Sequence, residues 1–336
     1  MIQKKSLHIE TLRGIAILFV VMGHVIGSGS TGGMQVDENS IYRYLYCLFE
    51  NIRMPLFTVI SGWVYALHPV NSLTVITFLQ KKARRLLFPL IFVGTTYFIL
   101  QYLIPGTNQK ESLEKIWKIY IYPYTLFWYL PALFLVFSFI SIFEISNLIK
   151  SFKNWCIITM ISWGLCFCQV SHIISESIPN FFAFKNALYL IPFFIVGLGL
   201  NRFKQKLCTS TLQKIYLLGT LVGIIFQQID YFLPETFTYY TILHLTIPIG
   251  MISSAFLVSI NLKNTFFVWL AQYAYTIYLF HGFGTAGGRI LISKIHIHNS
   301  FVTFVFATIV AIILPITLER ILVKWKITRI LFLGKK

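Results

Sequence analysis

The chain has 336 residues, of which 57% are hydrophobic, 17% aromatic and only 12% charged. A mean hydropathy of +0.73 excludes the water-soluble protein classes, because a soluble fold has no way to bury so much apolar surface, and a polytopic membrane protein is predicted. The formal net charge of +17 does not indicate a nucleic-acid-binding protein, since the basic residues are spread in short segments between apolar runs.

Apolar stretches of bilayer-crossing length, about 17–25 residues, predict an all-α protein with ten membrane-spanning helices in one domain, residues 1–336. The predicted spans are 10–28, 46–67, 86–104, 124–143, 155–172, 184–200, 212–229, 240–260, 266–285 and 301–323. The segments between them are too short for a folded domain. No internal repeat is evident, which disfavours an inverted-repeat transporter.

The distribution of basic residues predicts the orientation. With the N-terminus in the cytoplasm, 19 of the 28 Lys and Arg residues fall in cytoplasmic segments, seven in outer segments (Arg289 among them) and two within spans. This bias supports an even number of spans with both termini cytoplasmic. Lys4 and Lys5 precede an apolar run as in a signal peptide, but no cleavage site follows, so we expect a retained signal-anchor helix.

The first span carries three ionisable residues on one helix face. Arg13 and His24 are eleven residues apart, about 1100° of helix rotation and therefore within about 20° of three full turns. They lie roughly 16 Å apart along the axis, and Glu10 precedes Arg13 by one turn. Ionisable groups are costly in hydrocarbon and mark functional sites by default. Arg13 can also snorkel to the interface, but His24 lies too deep for that explanation.

Further polar residues are expected near the outer face. The predicted topology places Glu50, Arg53, His244 and His281 at the outer ends of their spans, so that they can converge with His24 on one pocket. Two of them also have explanations that involve no functional site. His244 is read as an interfacial histidine with a satisfied hydrogen bond, and Arg53 can reach lipid headgroups by snorkelling.

The basic segment that opens the third span, Lys81-Lys82-Ala-Arg84-Arg85, is suited to binding phosphate groups. From charge alone, a topogenic signal or a contact with lipid phosphates explains it equally well. The five cysteines fit neither a disulfide framework nor a zinc site. We expect no metal ion.

Five motifs resemble those of the acyltransferase-3 family of membrane acyltransferases, in the same order and over nearly the whole chain. They are Glu10-Thr-Leu-Arg13-Gly followed by His24, Arg53-Met-Pro-Leu-Phe-Thr-Val-Ile-Ser-Gly62, Lys82-Ala-Arg-Arg85-Leu-Leu-Phe-Pro89, Phe127-Trp128-Tyr-Leu-Pro131, and Tyr275-Thr-Ile-Tyr-Leu-Phe-His281. One motif departs from the family pattern, because Lys82 stands where the family has arginine. Charge is kept there, but one bidentate guanidinium is lost.

The resemblance implies transfer of an acyl group, usually acetyl from cytoplasmic acetyl-CoA, to a hydroxyl of an extracytoplasmic or lipid-linked glycan such as O-antigen, capsule or exopolysaccharide. It implies a multi-pass protein of the bacterial inner membrane, here a stand-alone member without an extracytoplasmic hydrolase-like domain. The partners expected are thus the bilayer, acetyl-CoA and the glycan, and no nucleic acid. The acceptor sugar and the oligomeric state stay open.

Roles for individual residues follow from these motifs. His24 is the expected catalytic residue, with Arg13 and Glu10 beside it. It acts as general base, for which an imidazole pKa of about 6.5 is suited, or carries the acyl group covalently. The acetyl-CoA phosphates are assigned to Lys82, Arg84, Arg85 and Arg13. The acceptor side is assigned to Arg53, Glu50, Trp128 and His281.

Two other functions were weighed. A carrier for a small acid or a lipid-linked sugar also uses intramembrane arginine and histidine, but it does not account for the five motifs. A non-catalytic scaffold for envelope assembly leaves Arg13 and His24 unexplained.

Overall fold

The structure is a computed structural model that describes residues 6–108, 110–233 and 239–336, without the side chains of 239–246. The described residues are 77% helical, and no strand occurs among them. The predicted all-α fold is therefore confirmed.

Ten long helices account for most of the described chain, and each predicted span falls on one of them. In chain order they are α1 (Leu7–Ile26), α2 (Ile41–Tyr65), α3 (Val75–Leu103), α4 (Tyr129–Ile145), α5 (Phe152–Val170), α6 (Phe184–Arg202), α7 (Ser210–Phe232), α8 (Tyr239–Ser259), α9 (Thr265–Lys294) and α10 (Ser300–Leu322). A short amphipathic helix, α11 (Lys326–Leu333), follows.

Six segments of the described chain are long and apolar enough to cross a membrane: Leu7–Ile26, Val75–Leu103, Leu113–Ile145, Phe181–Arg202, Ser210–Phe232 and Ser300–Leu322. The chain is thus a multi-pass membrane protein. Helices α2, α5, α8 and α9 fall outside this set, and α2 and α9 carry polar side chains described below. The number of spans and the side on which each terminus lies remain predictions.

Two helices extend well beyond their predicted spans. Helix α3 begins at Val75, eleven residues before the predicted start, so the basic segment lies inside the helix and does not open it. Lysine, arginine and leucine are strong helix formers, but the charges of lysine and arginine lower the hydropathy of this segment and keep it out of the predicted span. Helix α9 continues to Lys294, so Arg289 lies in a helix and not in the predicted outer segment.

The extension of α9 depends on close packing against α10. A Cβ atom added at Gly284 would lie 2.4 Å from Cα of Ala311, and one added at Gly288 would lie 2.7 Å from Cα of Ala307. Small residues at this spacing let two membrane helices approach closely. The glycines that end the predicted span are therefore the residues that hold α9 against α10.

Successive long helices run antiparallel, so the bundle has two ends. At the end where α1 begins, Asn264 N donates to Thr11 Oγ1 (3.1 Å) and Arg202 pairs with Glu144 (2.9 Å). We call this the basic end, because Lys82, Arg84 and Arg85 lie there, and the other the opposite end. Helix α1 packs against α2 and α9 and is largely buried.

Candidate active site

A cavity of about 820 Å³ lies between α1, α3, α9 and α10. Its lining runs from Leu322 on α10 to Leu291 on α9. Ala311 on α10 and Gly284 on α9 lie side by side. Leu322 is eleven residues beyond Ala311 toward one end, and Leu291 is seven residues beyond Gly284 toward the other. The two ends of the lining are therefore roughly 27 Å apart at 1.5 Å per residue. The cavity thus extends over most of the roughly 30 Å of a bilayer's hydrocarbon core.

The two halves of the cavity differ in polarity. Toward the basic end the wall is apolar and consists of Leu314, Leu318, Leu322 and Phe332. Toward the opposite end the wall also carries polar residues, which lie among apolar ones such as Leu100 and Ile290: Gln101, Thr107, Asn108, Thr285 and Arg289. Several of these groups are fixed by hydrogen bonds: Gln101 Nε2 donates to Asn108 O (2.7 Å), and Arg289 donates to Gly106 O (2.7 Å). An extended ligand with a polar group at the opposite end matches this division.

His24 lies in the last turn of α1, where its side chain is exposed to the cavity. Its ring packs against the ring of His281 from α9, with 5.0 Å between the ring centroids. The two histidines therefore lie side by side, with His281 behind His24 and not on the cavity wall.

The hydrogen bonds of His281 define its tautomer. Its buried Nδ1 lies 2.8 Å from Tyr278 O and 3.1 Å from Ile277 O. Carbonyl oxygens only accept, so Nδ1 carries the proton and Nε2 is an acceptor in the neutral ring. Nε2 is buried and has no hydrogen-bond partner among the described residues. A buried acceptor left unused beside a second imidazole is a feature of catalytic sites more than of packing.

Arg53 approaches α1 next to His24, whereas Glu50 does not. The Arg53 guanidinium lies against Gly23 and over the ring of Tyr46, at 4.3 Å from its centroid. Glu50 accepts a hydrogen bond from the Tyr46 hydroxyl (3.2 Å) and is exposed outside the cavity. The side chain of His244 lies outside the described residues.

Arg13 and Glu10 pair with each other rather than with His24. Arg13 Nη1 donates to Glu10 Oε2 at 3.1 Å, in a pair that is mostly buried. Arg13 lies about three turns of α1 away from His24 and Glu10 about four, and neither side chain lines the cavity. Their predicted roles at the catalytic residue stay predictions.

Trp128 ends a 3-10 turn, Thr125–Trp128, that precedes α4. Its ring packs edge-on against Tyr129, with centroids 5.8 Å apart. Thr125 and Leu126 of the same turn line the cavity, and Trp128 does not. The turn is held by the Tyr278 hydroxyl, which donates to Leu126 O (2.6 Å). The turn therefore reaches the cavity through the two residues that precede the predicted motif, and no residue from Phe127 to Pro131 lines it.

Of the four predicted phosphate-binding residues, the three on α3 make different contacts. The Lys82 ammonium lies 3.8 Å from the ring centroid of Phe137, and the Arg85 guanidinium 4.0 Å from that of Tyr275. Such cation–π contacts hold charge without neutralising it. Arg84 points away from both, and its Nε donates to Gly334 O (3.4 Å).

Sequence analysis missed two charged residues of this region. Arg289 lies on the cavity wall, in the part of α9 that extends beyond the predicted span. Glu319 is an acidic residue within the predicted span 301–323, which by itself marked a functional position. It accepts a hydrogen bond from Thr276 Oγ1 (2.7 Å) and contacts Lys335.

The cavity, the unused imidazole nitrogen and the cations at one end together suit group transfer to a nucleophile that a histidine deprotonates. Comparison with known proteins gave one family: the acyltransferase-3 family model, described as "Acyltransferase domain", matches residues 7–320. Neither the curated proteins nor the solved structures gave a significant match. The matched range includes every predicted site residue.

Proposed function

The chain belongs to the acyltransferase-3 family and is a membrane acyltransferase, and from this premise we propose that it is an O-acetyltransferase. It moves acetyl from cytoplasmic acetyl-CoA to a hydroxyl of a cell-surface or lipid-linked polysaccharide, in the inner membrane of a bacterium. The observation that carries this proposal is the position of His24, which faces a cavity about as long as the membrane is thick and has His281 directly behind it.

In the proposed reaction, His24 removes the proton from the acceptor hydroxyl as its oxygen attacks the thioester carbonyl carbon. The new C–O bond forms, the C–S bond breaks, and the proton passes from the imidazolium to the departing CoA thiolate. Base catalysis of this kind typically contributes about 10²–10⁴ in rate. A covalent acyl-His24 intermediate is the alternative route, and ping-pong kinetics would distinguish it from direct transfer.

His281 is a positioning residue in this scheme. Because its Nδ1–H is committed to backbone carbonyls, its Nε2 is free to accept an N–H from the His24 ring. That bond would hold His24 in the tautomer whose other nitrogen faces the cavity and acts as the base. A base oriented by a third group is the usual arrangement in acyl transfer.

The donor and the acceptor enter from different ends. Arg85 lies over Tyr275, which precedes His281 by six residues on α9, roughly 9 Å along the axis. A donor with its phosphates at Lys82, Arg84 and Arg85 can therefore extend its arm through the apolar half of the cavity to His24. The acceptor hydroxyl arrives from the polar half, where Gln101, Asn108 and Arg289 offer hydrogen-bonding groups, with Arg53 close by.

The test is the acetyl content of surface polysaccharide, measured by NMR in cells with the intact gene, a deletion or His24→Ala. We expect an O-acetyl signal that disappears in both altered strains, with the variant protein still present in the membrane. An unchanged spectrum in the deletion strain would contradict a polysaccharide acceptor. Near-normal acetylation by His24→Ala would contradict the catalytic assignment.

A further inference from the structure

Four chain segments meet at the basic end of the bundle. The Lys335 ammonium contacts the carboxylate of Glu319 on α10. That carboxylate also accepts from Thr276 Oγ1 on α9 (2.7 Å), and the neighbouring Tyr275 hydroxyl donates to the backbone carbonyl of Arg85 on α3. Lys335 therefore belongs to the same network as the basic segment of α3, although it lies 250 residues further along the chain.

Gly334 fixes this arrangement through its backbone. Its φ of +61° is in the left-handed region, and a Cβ atom there would lie 2.5 Å from Arg84 O and 2.6 Å from Arg85 Cα. Its carbonyl accepts from Arg84 Nε (3.4 Å). Residues without a Cβ adopt this conformation at little cost. The segment that follows α11 thus lies directly on α3, and Lys335 is carried to a defined place.

The resulting cluster has an excess of positive charge. Lys82, Arg84, Arg85 and Lys335 carry four cations, whose contacts are rings, a carbonyl and one carboxylate. That carboxylate belongs to Glu319, which pairs with Lys335. An ammonium group has three donors, and Glu319 leaves the others available. On the adjoining α11, Arg329 has a buried Nε with no partner among the described residues. A polyanionic ligand would complement this charge.

We propose that Lys335, held in place by Glu319, completes the site for the phosphates of the acyl-CoA donor together with Lys82, Arg84 and Arg85. The inference deepens the proposed function and rests on it. Phosphate groups take charge-assisted hydrogen bonds from lysine and arginine. The apolar half of the cavity begins beside this cluster at Leu322 and Phe332, which places the bound phosphates where the donor arm must enter.

The phosphate of an anionic phospholipid headgroup has the same chemistry. The two sources differ in what is attached to the phosphate, since a headgroup has no arm that extends from the cluster to His24. An experiment that varies the phosphates and the arm of the ligand separately therefore distinguishes the two.

The experiment measures binding of CoA and of pantetheine, which has the arm but no phosphates, to the full chain in neutral detergent. The variants are Lys335→Ala, Lys335→Arg and, as matched control, Lys336→Ala at the exposed neighbouring lysine. We expect Lys335→Ala to weaken CoA binding by roughly tenfold or more, the scale of one hydrogen bond to a charged group, and to leave pantetheine binding unchanged. Lys335→Arg should restore most of the affinity for CoA, and Lys336→Ala should behave as the wild type.

Equal losses for CoA and pantetheine in Lys335→Ala would show a structural role and overturn the proposal. Wild-type CoA binding by that variant, with weaker retention of anionic phospholipid, would assign Lys335 to lipid and overturn it too. The proposed function fails in a different way, because a wild-type chain that binds neither CoA nor acetyl-CoA would reject it before any variant is compared.

Discussion

The histidine pair in the middle of the cavity and the basic end differ in how they use their polar groups. At the pair, His281 commits one nitrogen to two carbonyls and leaves the other buried without a described partner. At the basic end, each of the cations Lys82, Arg84, Arg85 and Lys335 already contacts a ring, a carbonyl or a carboxylate.

This difference separates two tasks. At the pair, the buried Nε2 of His281 stays available to orient His24, the residue that gains and loses the proton. At the basic end, where a ligand only has to be held, contacts with rings, a carbonyl and a carboxylate keep the cations in place. The two regions should therefore respond differently to substitution: changes at the pair should lower kcat, and changes at the basic end should raise KM for the donor.

The largest effect is expected for His24→Ala. Loss of the base should lower kcat by about 10²–10⁴, while acetyl-CoA binding stays close to that of the wild type because the basic end is untouched. Transfer from labelled acetyl-CoA and equilibrium binding of the donor, on the same purified preparation, check both parts. A comparable loss of donor binding would show that the histidine pair and the basic end do not have separate tasks.

His281→Phe should come next. Phenylalanine keeps a planar ring against His24 but removes the Nε2 acceptor, so kcat should fall by part of the general-base contribution, about 10²-fold, with KM little changed. His281→Gln supplies an acceptor oxygen in a similar place and should retain more activity than His281→Phe. Equal activity in the two variants would mean that His281 acts only by filling space.

A smaller effect is expected for Arg85→Ala, at the basic end. Removing one charge-assisted phosphate contact should raise KM for acetyl-CoA by roughly tenfold and leave kcat within a few-fold. Arg85→Lys keeps a cation above the Tyr275 ring, so its KM for acetyl-CoA should lie between those of the wild type and Arg85→Ala. Steady-state kinetics with varied donor concentration measure this, and a fall in kcat alone would contradict the assignment.

The smallest effect is expected for Gly334→Ala. The added Cβ conflicts with the backbone of Arg84 and Arg85 and must be held at positive φ, at a cost of about 1 kcal/mol. Lys335 should shift from its place and KM for the donor should rise a few-fold. Gly164→Ala is the matched control, since a Cβ there has open space. Identical donor kinetics for the two variants would show that the position of the segment after α11 does not affect donor binding.

The helices and the central histidine could be predicted because their signals are local. Hydropathy alone placed ten helices, and an imidazole deep in an apolar run marked His24. The convergence of His281 on His24 followed from alternating helix direction. What sequence did not reveal is that His281 lies behind His24 and not on the wall, because that depends on side-chain rotamers and on which neighbour fills the space.

The missed residues depended on contacts between distant segments. Arg289 was assigned to a loop because the glycines before it end a hydropathy window, although their packing on α10 extends the helix. Lys335 looked like one more cytoplasmic positive charge, since its contact with Glu319 exists only once α11 lies on α3. Glu319 itself was visible as an acid within an apolar span and was overlooked. The sidedness of the membrane and the roles of Arg13 and Glu10 stay predictions.

The close contact of Gly284 and Gly288 with Ala311 and Ala307 has a consequence for the range of substrates. At these two positions the backbones of α9 and α10 leave little room for side chains to rearrange, so this part of the cavity wall is stiff. Helix α3 touches α9 over a small area only, so it is the wall that can yield. Variants selected for bulkier acyl groups should accumulate changes at Leu100 on α3 and at Ile104, which directly follows it, and spare the contact between α9 and α10.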